Sequence, residues 1–198
     1  MPYSKYIQED FKSSITREDL RKKIISRIGK QEDDITFILV NHIDIKKPIH
    51  SLVIDAKLEE IEKTNEWFDH VLSKKTDNES IQSKAGLAFM ELLMNAYEHG
   101  SLNLDGNKKH KLIDNDEYFD FLSKKELTCN KKISINIHCF SNHLLVRIKD
   151  EGFDTNTLSS IFGVTKNFNL RGIFMSRNAT QGIYYNRVAN QITFIVAL

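Results

Sequence analysis

Residues 133–148 read as a β-hairpin with a single apolar face, and this hairpin limits the fold more than any other stretch of the chain. Ile133, Ile135, Ile137 and Cys139 alternate onto one face, Ser141 and Asn142 turn the chain, and Leu144, Val146 and Ile148 continue the alternation. Period-two alternation puts these side chains on one side of a pleated strand pair, so a second layer has to cover them. Helical stripes supply that layer. Leu58, Ile61, Phe68, Val71 and Leu72 mark one face of a helix ending near Lys75. After the polar stretch 76–79, Ile81, Ala85, Ala88, Phe89, Leu92 and Ala96 mark a second helix over about Ser80 to His99, with Gly100 as its stop. Residues 49–54, 182–188 and 191–197 read as further strands. The expected class is α+β: a two-layer α/β sandwich whose mixed, mostly antiparallel sheet carries helices on one face.

The chain has 198 residues, with prolines only at positions 2 and 48, so no proline-rich linker divides it. Pro48 is the one marked break. Before it, Thr16 is placed to cap a helix over Arg17 to about Ile28, and residues 34–41 read as a strand. The expected organisation is a helix-strand extension over 1–45 and a main domain over 46–198. That domain carries a charged insertion at 101–130 with a short helix around Glu117 to Leu122. Twenty-eight Lys and Arg against 27 Asp and Glu leave a net charge of +1. Such a balance offers no broad field for nucleic acid or an anionic membrane, so any bound anion has to be held locally. The two cysteines, Cys129 and Cys139, suggest neither a disulfide framework nor a zinc site. With apolar runs no longer than a strand and no signal segment, a cytoplasmic location is expected.

Three short segments carry chemistry. On the second helix, Glu91, Asn95 and either Glu98 or His99 run beside the apolar stripe. Residues four apart share a helical face, and polar groups there need partners. The strand after Leu144 ends in Asp150-Glu151-Gly152, where a carboxylate accepts hydrogen bonds while the glycine lets backbone approach a ligand. Leu170-Arg171-Gly172-Ile173 then opens a helical stretch, a place where free amides favour phosphate.

In order, Glu91-Leu-Leu-Met-Asn95-Ala-Tyr-Glu-His99-Gly100, Asp150-Glu-Gly152 and Arg171-Gly172-Ile-Phe-Met resemble the N, G1 and G2 boxes of the GHKL ATPase superfamily. The resemblance spans roughly residues 48–198 and is nearest to the anti-sigma-factor serine/threonine kinases. It implies a Bergerat-type ATP-binding fold with ATP and Mg²⁺ as cofactors. By the resemblance, Asn95 is the magnesium ligand and Glu91 the general base that orients an attacking hydroxyl. Asp150 receives the adenine amine and Gly152 admits the ring. Arg171 and Gly172 meet the phosphates, and His99 and Gly100 complete the nucleotide-binding set.

Two positions depart from the family pattern: Asp154 stands where the G1 box has its second glycine, and Leu170 where the G2 box has its first. Residues 1–45 resemble the last helix and strand of stress-response metal-dependent serine phosphatases, in which Asp33 or Asp34 would be a metal ligand. The implied function is an anti-sigma-type serine/threonine protein kinase. It would phosphorylate an antagonist protein in a bacterial partner-switching pathway and grip a sigma factor or similar regulator, and a homodimer is compatible with it. The alternatives are a non-catalytic nucleotide-dependent switch and a protein-interaction module with a degenerate pocket. The run Lys108-Lys109-His110-Lys111 is expected in a solvated loop, Trp67, Phe68 and Tyr97 between helix and sheet, and Tyr184 and Tyr185 on opposite faces of a strand.

Overall fold

The computed structural model describes residues 5–28, 45–152 and 179–198. The chain divides into two units, Met1–Asp44 and Ile45–Leu198. In the first, α1 (Ile7–Ser13) is followed by α2 (Arg17–Ile28). Thr16 Oγ1 accepts the Asp19 amide at 3.1 Å, satisfying one of the free donors of the first turn of α2. Leu20 and Ile24 are buried on this helix, and Arg27 pairs with the buried Asp10 at 2.9 Å while lying over the Tyr6 ring. The strand expected at 34–41, with Asp33 and Asp34, lies outside the described residues.

The second unit is built on a sheet of β1 (His50–Asp55), β2 (Lys132–Phe140), β3 (His143–Lys149), β4 (Gly182–Tyr185) and β5 (Gln191–Ala197), in the order β1-β2-β3-β5-β4. The expected hairpin is β2–β3, with Ile135 opposite Ile148 and Ile137 opposite Val146. Registers to β1 and β5 extend these rows, so that Leu52, Ile135, Ile148 and Ile192 line one row and Ile137, Val146 and Phe194 the next. Every pairing among the described strands is antiparallel, which corrects the expectation of a mixed sheet. The reason is topological: β2–β3 and β4–β5 are tight hairpins, and β1 and β5 pair antiparallel against them. Ser141 takes φ 46° in the hairpin turn, and Asn142 is tied to Leu198 through backbone and side chain. The strand expected over 182–188 is shorter, because Asn186 turns the chain: its amide donates to Gln191 O at 3.1 Å, and Ala189 adopts φ 57°.

Two helices, α3 (Leu58–Ser73) and α4 (Glu79–Asn95), bury their apolar stripes with this sheet in one core. Asn78 caps α4 by accepting the amides of Ser80 and Ile81. Phe68 of α3 stacks on Phe89 of α4 with ring centroids 4.0 Å apart, and Phe194 of β5 meets Phe68 edge-on at 6.4 Å. Such contacts add about 1 kcal/mol per ring pair beyond the area buried. Trp67 packs at the margin of the core, Phe68 and Tyr97 are fully buried, and Tyr184 is exposed while Tyr185 packs inward. None of the described helices is long and apolar enough to cross a membrane.

The insertion differs from the single short helix expected. It forms α5 (Gly106–Asp114), capped by the Asp105 side chain, and α6 (Tyr118–Glu126). The lysine run therefore sits on a helix instead of a loop, and Lys109 turns inward to a buried carboxylate. Sequence periodicity understated α5 because only Gly106 and Leu112 are buried along it.

Candidate functional site

Glu91 and Asn95 lie one turn apart at the C-terminal end of α4, both half-buried beside the buried Leu92 and Leu93. Neither side chain has a hydrogen-bond partner among the described residues. Beyond Asn95 the chain does not stop at Gly100. It widens into a π-turn over Ala96–Ser101, in which the Leu102 amide reaches Tyr97 O at 2.9 Å and Ser101 Oγ reaches Ala96 O at 3.1 Å. A π-turn accommodates an extra residue within a helix and is frequent where a helix has a task besides packing.

This wide turn brings Gly100 against the end of β3. Asp150 follows that strand with its amide bonded to Asn190 O at 3.0 Å, and its Oδ1 accepts the Gly152 amide at 2.7 Å. A Cβ on Gly100 would collide with the Asp150 carboxyl group, and one on Gly152 would collide with Gly100 O. Both glycines are therefore fixed by close approach of backbone to a carboxylate. Two of the three sequence segments thus converge: the helix end and the Asp-Glu-Gly corner form one structure.

Asp150 is only 5% exposed. Burial pushes its carboxyl up to about 6, opposed by the Gly152 amide and by the positive charge of Lys131. Lys131 was not singled out by sequence reasoning. Its Nζ donates to Gly100 O at 3.0 Å and reaches Asn103 Oδ1 at 3.5 Å, so one ammonium serves both the turn and the carboxylate. Asp150 Oδ2 has no hydrogen-bond partner among the described residues.

The two candidates that shared a place beside Glu91 and Asn95 separate here. Glu98 is 1% exposed and accepts Lys109 Nζ on both oxygens at 2.7 Å, together with the Tyr118 hydroxyl. It belongs to an internal network, not to an open face. His99 is half-buried, with Nδ1 against Leu104 O. A carbonyl only accepts, so Nδ1 carries the proton and Nε2 of the neutral ring is left as an acceptor. Next to these, the Tyr97 hydroxyl donates to Glu126, whose Oε1 also accepts the Leu58 amide at 2.7 Å. Desolvation, followed by the neighbouring glutamates, drives both tyrosine hydroxyls above their ordinary range. The signal for this network in the sequence was weak, since two phenols, a lysine and two glutamates spread over residues 97–126 match no local spacing.

Arg171 and Gly172, with Leu170 and Asp154, lie outside the described residues. No group of three or more His, Cys, Asp or Glu side chains able to hold a metal occurs among the described residues, and Cys129 and Cys139 are free thiols. Comparison with protein-family models gave no match. Comparison with curated proteins likewise gave none.

Proposed function

We propose that this protein binds ATP with Mg²⁺ at the corner formed by the end of α4, the π-turn and Asp150, and acts as a serine/threonine protein kinase of the anti-sigma type. The observation that supports the reading is the contact among Gly100, Asp150 and Gly152, which joins two of the three boxes at a buried carboxylate. The fit to an adenine is chemical. With Oδ1 occupied by the Gly152 amide, Oδ2 is the atom that accepts an exocyclic amine, and the two glycines let the backbone close directly around that carboxylate. With Oδ1 held by the Gly152 amide, protonation puts an O–H donor on Oδ2 and removes the negative charge, so binding of an amine donor weakens as the pH falls through about 6.

One helical turn before the π-turn, Asn95 offers a neutral hard oxygen of the type that suits magnesium, which usually takes one or two protein oxygens plus phosphates and water. Bound there, the ion would neutralise charge on the transferring phosphoryl group. Glu91, half-buried on the same face of α4, would accept the proton of a substrate hydroxyl and orient it. Arg171 and Gly172 are assigned to the phosphates. The hydroxyl would belong to an antagonist protein, and the same domain would hold a sigma factor or related regulator.

A thermal-shift titration with ATP and Mg²⁺ tests the nucleotide. A ligand that binds only the native state raises apparent stability, and no shift at millimolar ATP overturns the proposal. Transfer of labelled phosphate to a serine-bearing protein partner tests the kinase. If Glu91→Ala keeps ATP-dependent partner binding and the parent shows no transfer, the site is a switch and the kinase assignment fails.

A further inference from the structure

Three consecutive residues ahead of Gly100 are each held by a separate anchor. Tyr97 is bonded to Glu126 at the end of α6, Glu98 to Lys109 of α5 and Tyr118 of α6, and His99 to the Leu104 carbonyl. The Glu98 carbonyl also accepts the Leu104 amide at 2.8 Å. Gly100 itself is held at its carbonyl by Lys131. Left to local preference, the turn after Asn95 would continue as α-helix, because the π form is rare and survives where its surroundings hold it. Here the holding groups come mainly from the 106–126 helix pair. Those helices are otherwise lightly built, with Ile113 and Phe119 exposed.

We infer that the α5–α6 insertion is a strut that sets the Gly100–Asp150 contact, and that Glu98 is the positioning residue through which it acts. The inference deepens the nucleotide reading and rests on it for its purpose. Glu98 suits the role because its carboxylate is almost wholly buried and gathers one donor from each insertion helix. A charge so enclosed keeps its position only with its partners in place. Releasing it lets the wide turn relax, draws Gly100 away from Asp150 and admits water to the carboxyl group. Among the described residues, Lys131 is the charged group acting on Asp150, and it stands on the segment before β2, not on the strut. The strut therefore affects Asp150 through burial, not through charge.

The test follows Asp150 in the full chain without ligand, by carbon NMR of its carboxyl group across pH, in the parent protein and in Glu98→Ala. The parent is expected to titrate near 6. In Glu98→Ala the midpoint should fall toward the ordinary aspartate range of about 4. A side chain that only stabilised the fold would lower the denaturation midpoint and leave the Asp150 titration of the folded protein where it was; that result overturns the strut. Should Glu98→Ala not fold, Tyr118→Phe removes a single hydroxyl from the same carboxylate. It is expected to shift the midpoint in the same direction by less, and an unmoved midpoint again overturns the inference. ATP affinity measured by calorimetry on the same variants should drop about tenfold for Glu98→Ala. If the parent binds no ATP while the Asp150 midpoint moves as described, the nucleotide proposal fails and the strut stands.

Discussion

The two ends of α4 are held in different ways. Along α4 itself the packing is apolar: Ala85, Ala88, Phe89, Leu92 and Leu93 are buried, and the Phe68–Phe89 stack locks α3 to α4. The π-turn beyond its C-terminal end is held in addition by buried polar pairs formed by Glu98, Tyr118, Lys109, Tyr97 and Glu126. Apolar packing tolerates small slips and is repaid by area, whereas hydrogen-bonded charges demand particular distances. The difference teaches that the helix is anchored for stability at one end and for position at the other, and the positioned end is where Gly100 meets Asp150.

Truncating the apolar end should cost most. Phe89→Ala is expected to destabilise the protein by about 4 kcal/mol, read from urea denaturation, because a fully buried ring leaves a cavity. The Asp150 titration should not move in the molecules that remain folded; if it does, the two ends are not separate. Removing charge from the polar end should cost less. Glu98→Gln leaves Lys109 without its counter-charge, and since Lys109 is partly exposed the loss is expected at about 2 kcal/mol.

Asp150→Asn should act in the opposite direction. A carboxyl whose folded pKa is raised disfavours the folded state once it ionises. The penalty is absent below the ordinary aspartate value of about 4, grows as pH rises, and is complete above about 6. The neutral amide keeps an oxygen for the Gly152 amide and avoids that penalty. Asp150→Asn is therefore expected to gain about 2 kcal/mol at pH 7 and nothing at pH 3.5, while ATP-induced stabilisation disappears. Equal stability of the two proteins at pH 7 would show that Asp150 is better solvated than its burial indicates. The smallest stability effect belongs to Glu91→Gln, within about 0.5 kcal/mol, since a half-exposed side chain outside any network contributes little. Its effect on phosphoryl transfer should be large, and a variant with full transfer activity would remove Glu91 from the general-base role.

Much of the sheet and helix layer was legible in the chain. The alternation from Ile133 to Ile148 specifies a hairpin because a one-residue slip would turn every isoleucine to the wrong face. The stripes of α3 and α4 are readable for the same reason at helical period, and Thr16 marks the start of α2 by a local bond. The insertion was less legible. Its helices bury few side chains, so periodicity is weak, and their contacts reach residues 97 and 98 from 11 to 29 positions away. The turn at Gly100 was misjudged because glycine after a helical stripe ordinarily signals a stop. Here the missing Cβ serves a carboxylate that is distant in sequence.

By itself the sequence determined the residue classes: which positions are apolar at period two or near 3.6, and that Glu91, Asn95, Asp150 and Gly152 are the polar and small residues placed among them. Those are properties of neighbours within about one turn or one hairpin, where geometry is fixed by the backbone. Tertiary structure alone decided that the sheet closes antiparallel throughout its described strands, that Glu98 turns inward to the insertion, and that Gly100 touches Asp150. It also decided that Asp150 is buried enough to hold its proton to about pH 6, because desolvation depends on every element that excludes water around a group and not on the residues beside it in the chain.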